Sequence, residues 1–486
     1  MKQRRFFRPV LAVSLAVTLL IGALGAWPAQ SAAPHLAYGF NLHADVQGML
    51  EMSFDWLKGF PGTNLADYPP QTNILFRFSA TASDLSNVAA FAQNIYDTAL
   101  DNKDYIDAYE IGNEVNINNP NYGWGSVPVN AEDYKVLLCE AYTRIKQADP
   151  TAIVVSAGLA PTGRVQGTWQ DAYGHIHNGH NGGLPNGGFQ DEREFLKELF
   201  AAGGGACLDA VGYHPYGFSA DYDAEPDVAS ADPTRNCDQG FCFRGAEKIY
   251  EIMQQKGLGD KKVWATEFGW ITRPPDQCLS DPSWSGRQWQ IVSDDKQASN
   301  LVGAYQYADT HWPWMGGMFI FNLDFNQRPD LAECEQMRYY SIEGKPDTKS
   351  ALAAMPKSKA SLTGQLQTSS KSLAILIGVN EQPITWMPVV SLYNSGWQSL
   401  RYTATVNGSA SVVPGLSGAA MGTLSPTQEA LLQLTVPGFS RTLGSYTGTV
   451  TVSWYAAGAG NKPKAINLQM IVVNDIHRVY LPLITR

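Results

Sequence analysis

The sequence is short of charge: Asp, Glu, Lys and Arg make up 16% of its 486 residues, against 44% hydrophobic ones. That balance excludes a disordered polyelectrolyte and a solvated helical rod. Basic residues are the scarcer sign, 35 against 45 acidic ones, so no nucleic acid or anionic lipid surface is expected as a partner. Beyond the N-terminus no stretch reaches the ~20 continuous apolar residues of a spanning helix. Cys-x-x-Cys does not occur, and the histidines lack an ordered helical spacing, so neither a metal nor a cofactor is expected. No Gly-rich phosphate loop follows the first strand-like run, which argues against a doubly wound nucleotide fold.

What is present begins with a leader. Arg4, Arg5 and Arg8 precede an apolar run from Val10 to Ala26, and small residues follow around Ala29, Ser31, Ala32 and Ala33. Residues 1–33 therefore read as a secretory signal cleaved near Ala32, with an uncleaved anchor as the alternative. Losing Lys2, Arg4, Arg5 and Arg8 leaves 31 bases against 45 acids, a net charge of −14. The expected location is extracellular or at the cell surface. Six cysteines suit export and allow fifteen pairings. Cys237–Cys242 and Cys278–Cys334 close the cheapest loops, while Cys139, in a helical pattern, and Cys207, before a strand, read as buried thiols.

Residues 34–357 alternate short apolar runs with longer amphipathic ones. Strands are predicted at Leu36–Asn41, Phe54–Gly59, Asn73–Phe78, Ile106–Gly112, Ile153–Gly158, Leu208–Tyr213, Lys262–Thr266 and Gly317–Asn322. Between them, Ala131–Gln147, Asp191–Phe200, Gly245–Gln255 and Asp294–Ala308 carry helical spacing. Eight such alternations predict an α/β fold, a (β/α)8 TIM barrel, whose long polar segments Asn116–Asn130, Pro161–Gln190 and Gly217–Gly240 build the mouth. Residues 358–370 read as a linker, and 371–475 as an all-β immunoglobulin-like sandwich of six or seven strands. In it Thr447, Thr449, Thr451 and Ser453 alternate with Val450, Val452 and Trp454. The tail 476–486 is apolar at Val479–Leu483, and association with a cell surface through this end is one reading of it.

Two glutamates end predicted strands: Glu114 in Tyr109-Glu110-Ile111-Gly112-Asn113-Glu114, and Glu267 in Ala265-Thr266-Glu267-Phe268-Gly269-Trp270. Either alone reads more readily as a loop residue. Together, at the ends of the fourth and seventh of eight strands, they face each other across one mouth. Paired carboxylates flanking a bond are what glycoside hydrolysis requires.

These segments, with Asp209–Tyr216 at the sixth strand, resemble glycoside hydrolase clan A, the retaining (β/α)8 glycosidases, closest to family 39 and next to family 5. Gly112 and Val115 depart from the clan's pattern, which often has Trp and Pro there. The resemblance implies Glu114 as acid/base, Glu267 as nucleophile and Asn113 as a hydrogen-bond partner of the sugar 2-hydroxyl. Retention also rests on the resemblance, since it needs carboxyl groups about 5–5.5 Å apart and inversion about 6.5–9.5 Å. His214 and Tyr216 are expected to point into the mouth. Tyr216 and Arg77 are the candidate partners that keep Glu267 ionised, although Arg77 reads equally well as an outer salt bridge. Trp124, Trp169, Trp270, Trp284 and Trp289 lie in or beside the mouth loops, where two or three would line a sugar cleft floored by Phe321 and Asn322. The expected substrate is a β-linked polysaccharide or oligosaccharide. A transglycosylase, or a non-catalytic carbohydrate-binding surface protein on the same barrel, are the alternatives.

Overall fold

The computed structural model describes residues 35–359 and 366–474, apart from 63–64, 66–67, 70–71, 104, 127, 151, 172, 182–187, 371, 380–388, 395, 397–398, 409–414, 419, 426–427, 436–441 and 456–463. The predicted leader and the tail 476–486 lie outside these residues. No helix among them is long and apolar enough to cross a membrane.

Eight parallel strands close into a barrel: Ala37–Asn41, Trp56–Gly59, Asn73–Phe78, Ala108–Ile111, Ile153–Ser156, Ala210–Tyr213, Lys262–Phe268 and Met315–Phe321. The first strand pairs with the eighth, Ala37 opposite Gly317, so no edge is left. Each observed strand overlaps a predicted one. Side chains alternate, as a period of two requires. Ala37, Trp56, Leu75, Ala108, Ile153, Val155, Ala210, Trp264 and Phe319, drawn from all eight strands, fill the interior as one cluster. Trp56 meets Trp264 edge to face at 5.3 Å, and Trp264 stacks on Phe319 at 5.9 Å, so the floor is solid. Intervening residues such as Leu57, Ile74, Tyr109, Val154, Val211, Val263 and Met318 pack outward against the helices.

The helices begin where the sequence supplies caps. Asn130 accepts from the Glu132 and Asp133 amides at the start of Ala131–Ala148, and Ser293 accepts from Lys296 at the start of Asp294–His311. In Ala131–Ala148 the buried Tyr134, Leu138, Ala141 and Ile145 follow the 3.6-residue period.

The predicted linker is partly built into structure. Lys359 bridges to Leu36, and Leu366–Thr368 is a strand. The C-terminal residues form two sheets. One holds Leu366–Thr368, Val389–Asn394, Glu429–Thr435 and Gly415–Gly418 in that order. The other runs Ser372–Gly378, Lys464–Val473, Gly444–Tyr455, Leu400–Gly408 and Met421–Leu424. Three of the nine strands escape prediction because they are only three or four residues long. Val390, Leu392 and Leu432 of the first sheet share one apolar cluster with Val450, Val452, Ile466 and Leu468 of the second. Ser372–Gly378 pairs parallel with Lys464–Val473, the one parallel pairing in a set that is otherwise antiparallel among the described residues.

All six cysteines are paired. Cys237–Cys242 and Cys278–Cys334 join as expected. Cys139 and Cys207 are not free thiols: they form the third disulfide, tying helix Ala131–Ala148 to the turn Gly204–Cys207 across 68 residues. Closing a loop of that length restrains the unfolded chain by about 4 kcal/mol. Replacing both cysteines by alanine is expected to cost about 2–4 kcal/mol of unfolding free energy in a urea titration. A loss below about 0.5 kcal/mol would contradict a structural role for the bond.

Candidate active site

The alternation that fills the barrel also delivers its charge. Two residues above the interior Trp56 stands Lys58, and two above Ala108 stands Glu110, so both side chains enter the barrel. Both are buried. Strict alternation from the interior Trp264 would turn Glu267 outward, but the seventh strand carries an extra residue. Ala265 pairs with Met318 and Phe268 with Ile320, so three steps oppose two. A bulge of this kind re-aims a side chain, here toward the mouth.

Lys58 holds the centre. Its Nζ lies 2.8 Å from Glu110 Oε2 and 2.8 Å from Glu267 Oε1. Tyr216 donates its hydroxyl to Glu267 Oε2 at 2.8 Å. His214, following the sixth strand, places Nδ1 3.0 Å from Glu114 Oε1 and 3.8 Å from Glu267 Oε2, with Nε2 3.9 Å from Glu110 Oε1. One ligand atom each from Glu114, His214 and Glu267 lie within 4.8 Å of one another. Glu114 sits beyond the fourth strand with φ 43°, a left-handed backbone uncommon outside glycine. Its amide donates to Gly158 O at 2.9 Å, which fixes that turn against the fifth strand. Gly158 also leaves space for His214: a Cβ there would stand 2.1 Å from His214 Nε2.

The charges follow from these contacts. Burial alone would raise Glu110, but Lys58 and then His214 hold it at about 2. Burial likewise favours neutral Glu267, yet His214 and Lys58 keep it below the ordinary carboxylate range. For His214 burial opposes charge, and Glu267, Glu110 and Glu114 outweigh it, raising the imidazole to about 9. Burial and then Glu267 push Tyr216 well up, so it remains an O–H donor. Two cations therefore face two buried carboxylates. Lys58, shared between Glu110 and Glu267, and His214 give these buried carboxylates their counter-charge from within the protein.

Glu114, Glu267, His214 and Tyr216 thus come together, and Asn113 adjoins them. The Asn113 amide donates to Tyr122 O at 2.7 Å, while its buried Oδ1 has no hydrogen-bond partner among the described residues. Four expectations change. Arg77 does not pair with Glu267: its guanidinium lies over the Phe60 ring at 5.0 Å, and Lys58 takes the place assigned to it. Trp270 is buried, donating its indole N–H to Ala220 O, and cannot stack on a sugar. Asn322 is buried and turned toward its own loop, donating to Met337 O and accepting from the Phe325 amide and Ser341 hydroxyl. Phe321 packs edge-on beneath Tyr216 at 5.9 Å, supporting the phenol rather than flooring a cleft with Asn322. Of the five mouth tryptophans, Trp124, Trp270 and Trp284 are buried and Trp169 stacks on His177. Trp289 is 49% exposed and stacks on Phe218 at 5.5 Å. Lys58 and Glu110 were missed, although the phase set by Trp56 and Ala108 could have found them.

No protein-family model matches the chain, and no curated protein matches it. Among solved structures it is similar to a glucosidase from Croceicoccus marinus, at 11% identity and TM-score 0.42, covering 86% of this chain and 84% of that one. It is also similar to CJP38, a β-1,3-glucanase and allergen of Cryptomeria japonica pollen, at 15% and 0.38, covering 64% and 94%. A third is a calcium-binding mutant of Bacteroides uniformis β-glucuronidase 2, at 13% and 0.36, covering 91% of this chain and 46% of that one. The chain thus spans less than half of that β-glucuronidase. Scores below 0.5 at such identities assign no residue a role.

The two pKa shifts set a stability window. His214 ordinarily titrates at 6.5 and in the fold at about 9, so its contribution is full below pH 6.5 and is lost as pH rises through 9. Glu110 falls from 4.5 to about 2, so its contribution is full above pH 4.5 and is lost on acidification toward 2. Unfolding free energy measured from pH 6 to 10 is expected to fall more steeply for the wild type than for His214→Asn. Parallel curves would contradict a buried, charged His214.

Proposed function

We propose that the chain is a secreted retaining O-glycosidase, with Glu267 as nucleophile and Glu114 as general acid and base. The observation that carries this reading is the close approach of two carboxylates in unlike surroundings. An oxygen of Glu114 and one of Glu267 lie within 4.8 Å, on the short side of the spacing that separates retention from inversion. Lys58, Tyr216 and His214 serve Glu267, while Glu114 touches His214 alone among these and is the more open of the two, its side chain 15% exposed.

In the first step Glu267 attacks the anomeric carbon as the glycosidic C–O bond breaks, and Glu114 gives its proton to the leaving oxygen. In the second, water attacks the same carbon, Glu114 takes its proton, and the Glu267–sugar bond breaks. Esterification removes the charge of Glu267, which would strand a cation paired with it alone. Lys58 stays paired with Glu110 throughout, so the intermediate leaves no isolated buried ammonium. The buried Oδ1 of Asn113 is an acceptor left for a sugar hydroxyl, and the exposed face of Trp289 is a platform for a pyranose ring. We read the substrate as a β-linked polysaccharide or oligosaccharide, residues 34–357 as the catalytic barrel, and 371–475 as an immunoglobulin-like sandwich acting as a spacer. The basic and apolar leader and three disulfides support export, and the apolar tail is a candidate surface contact.

Reducing-sugar release from xylans, arabinans, mannans, β-glucans, galactans and bacterial exopolysaccharides tests the proposal. Hydrolysis of one class is expected, reduced by roughly two to four orders of magnitude in both Glu114→Gln and Glu267→Gln. Activity unchanged in either variant would overturn the assignment. Binding without release across the panel would identify a carbohydrate-binding protein instead.

A further inference from the structure

The loop between the fifth strand and helix Glu192–Ala201 holds a second polar cluster that the proposed chemistry does not use. A short hairpin, Thr168–Gln170 against Ile176–Asn178, sets Trp169 opposite His177, and the rings stack at 4.6 Å. His180 follows three residues later. It is fully buried, and neither ring nitrogen has a hydrogen-bond partner among the described residues. His177 is buried too: its Nδ1 lies 2.9 Å from Glu198 Oε2, while Nε2 has no hydrogen-bond partner among the described residues and lies 3.8 Å from Asp171 Oδ2. Ligand atoms from His177, His180 and Glu198 all lie within 4.8 Å of one another.

A buried imidazole with both nitrogens unsatisfied forfeits the hydrogen bonds it makes in water, a loss that a bound ion would offset. A four-coordinate zinc ion with arms of about 2.0–2.2 Å needs ligand atoms roughly 3.3–3.5 Å apart, a contraction that side-chain rotation can supply. Two nitrogens and a carboxylate suit a zinc-class ion, whereas calcium and magnesium select oxygen alone.

We propose that His177, His180 and Glu198 bind a zinc-class divalent ion. The ion clamps the hairpin to helix Glu192–Ala201. The clamp reaches the active site through Gln190, which bridges to His180, donates to Asn178 O at 2.8 Å and accepts at its own carbonyl from Asn116, two residues beyond Glu114. Its role is positional, and it stands or falls independently of the hydrolytic reading.

The full chain, stripped with a chelator, is dialysed against zinc chloride and then metal-free buffer, and its metal content is measured. Cobalt chloride replaces zinc in a parallel sample for visible absorption. The expected result is about one equivalent of zinc retained, a higher Tm, and a tetrahedral cobalt band. His180→Gln and Glu198→Gln should each lose the band and retain at least tenfold less zinc, while the exposed His311→Gln matches the wild type. Equal zinc retention and equal spectra in the wild type and either folded variant would overturn the proposal. So would absence of any cobalt band from the wild type, a readout that does not depend on the variants folding.

Discussion

One buried ammonium organises the site. Lys58 lies fully inside the barrel with a carboxylate 2.8 Å away on either side, Glu110 below and Glu267 at the mouth. Removing a charge from water costs several kcal/mol, so such a lysine persists only where its partners are fixed in advance. The barrel fixes them. Lys58 and Glu110 inherit their inward direction from strand alternation, and Glu267 gains its own from the extra residue in the seventh strand. His214 then adds a second cation that touches Glu114, Glu267 and Glu110. The ionisation of Glu267 follows from this frame.

The fold was legible because its signals are local. Each barrel strand is a short apolar run bounded by polar segments, and Asn73–Phe78 was placed residue for residue. The carboxylates were legible for another reason: strand ends at the mouth of a barrel are where chemistry sits. Lys58 was overlooked because Trp56-Leu57-Lys58-Gly59 reads as a strand ending in a polar residue, and the phase that turns Lys58 inward is set by the packing of Trp56 on Trp264. Arg77 was preferred because a guanidinium in an apolar run demands a partner. That partner is the face of Phe60, an aromatic no charge count would suggest.

Tertiary contacts overruled the sequence most often in the loops. Trp270, just past the end of the seventh strand, is sealed against Gly217, where a Cβ would stand 1.9 Å from its ring. Cys139 and Cys207 are far apart in the chain, but the helix and turn that carry them are neighbours. His175, His177 and His180 show no ordered helical spacing in the sequence. His177 comes from a strand, His180 from the turn after it, and Glu198 from a helix, a combination that no single periodicity encodes.

The central claim is that Glu267, kept ionised by His214 and Lys58, forms a covalent bond to sugar. Incubation with a panel of 2-deoxy-2-fluoroglycosyl fluorides, followed by peptide mass spectrometry, tests it directly. One sugar should add its mass to the peptide containing Glu267, and the label should vanish in Glu267→Gln. Hydrolysis of a glycan with inverted anomeric configuration, or a label on another carboxylate, would contradict it.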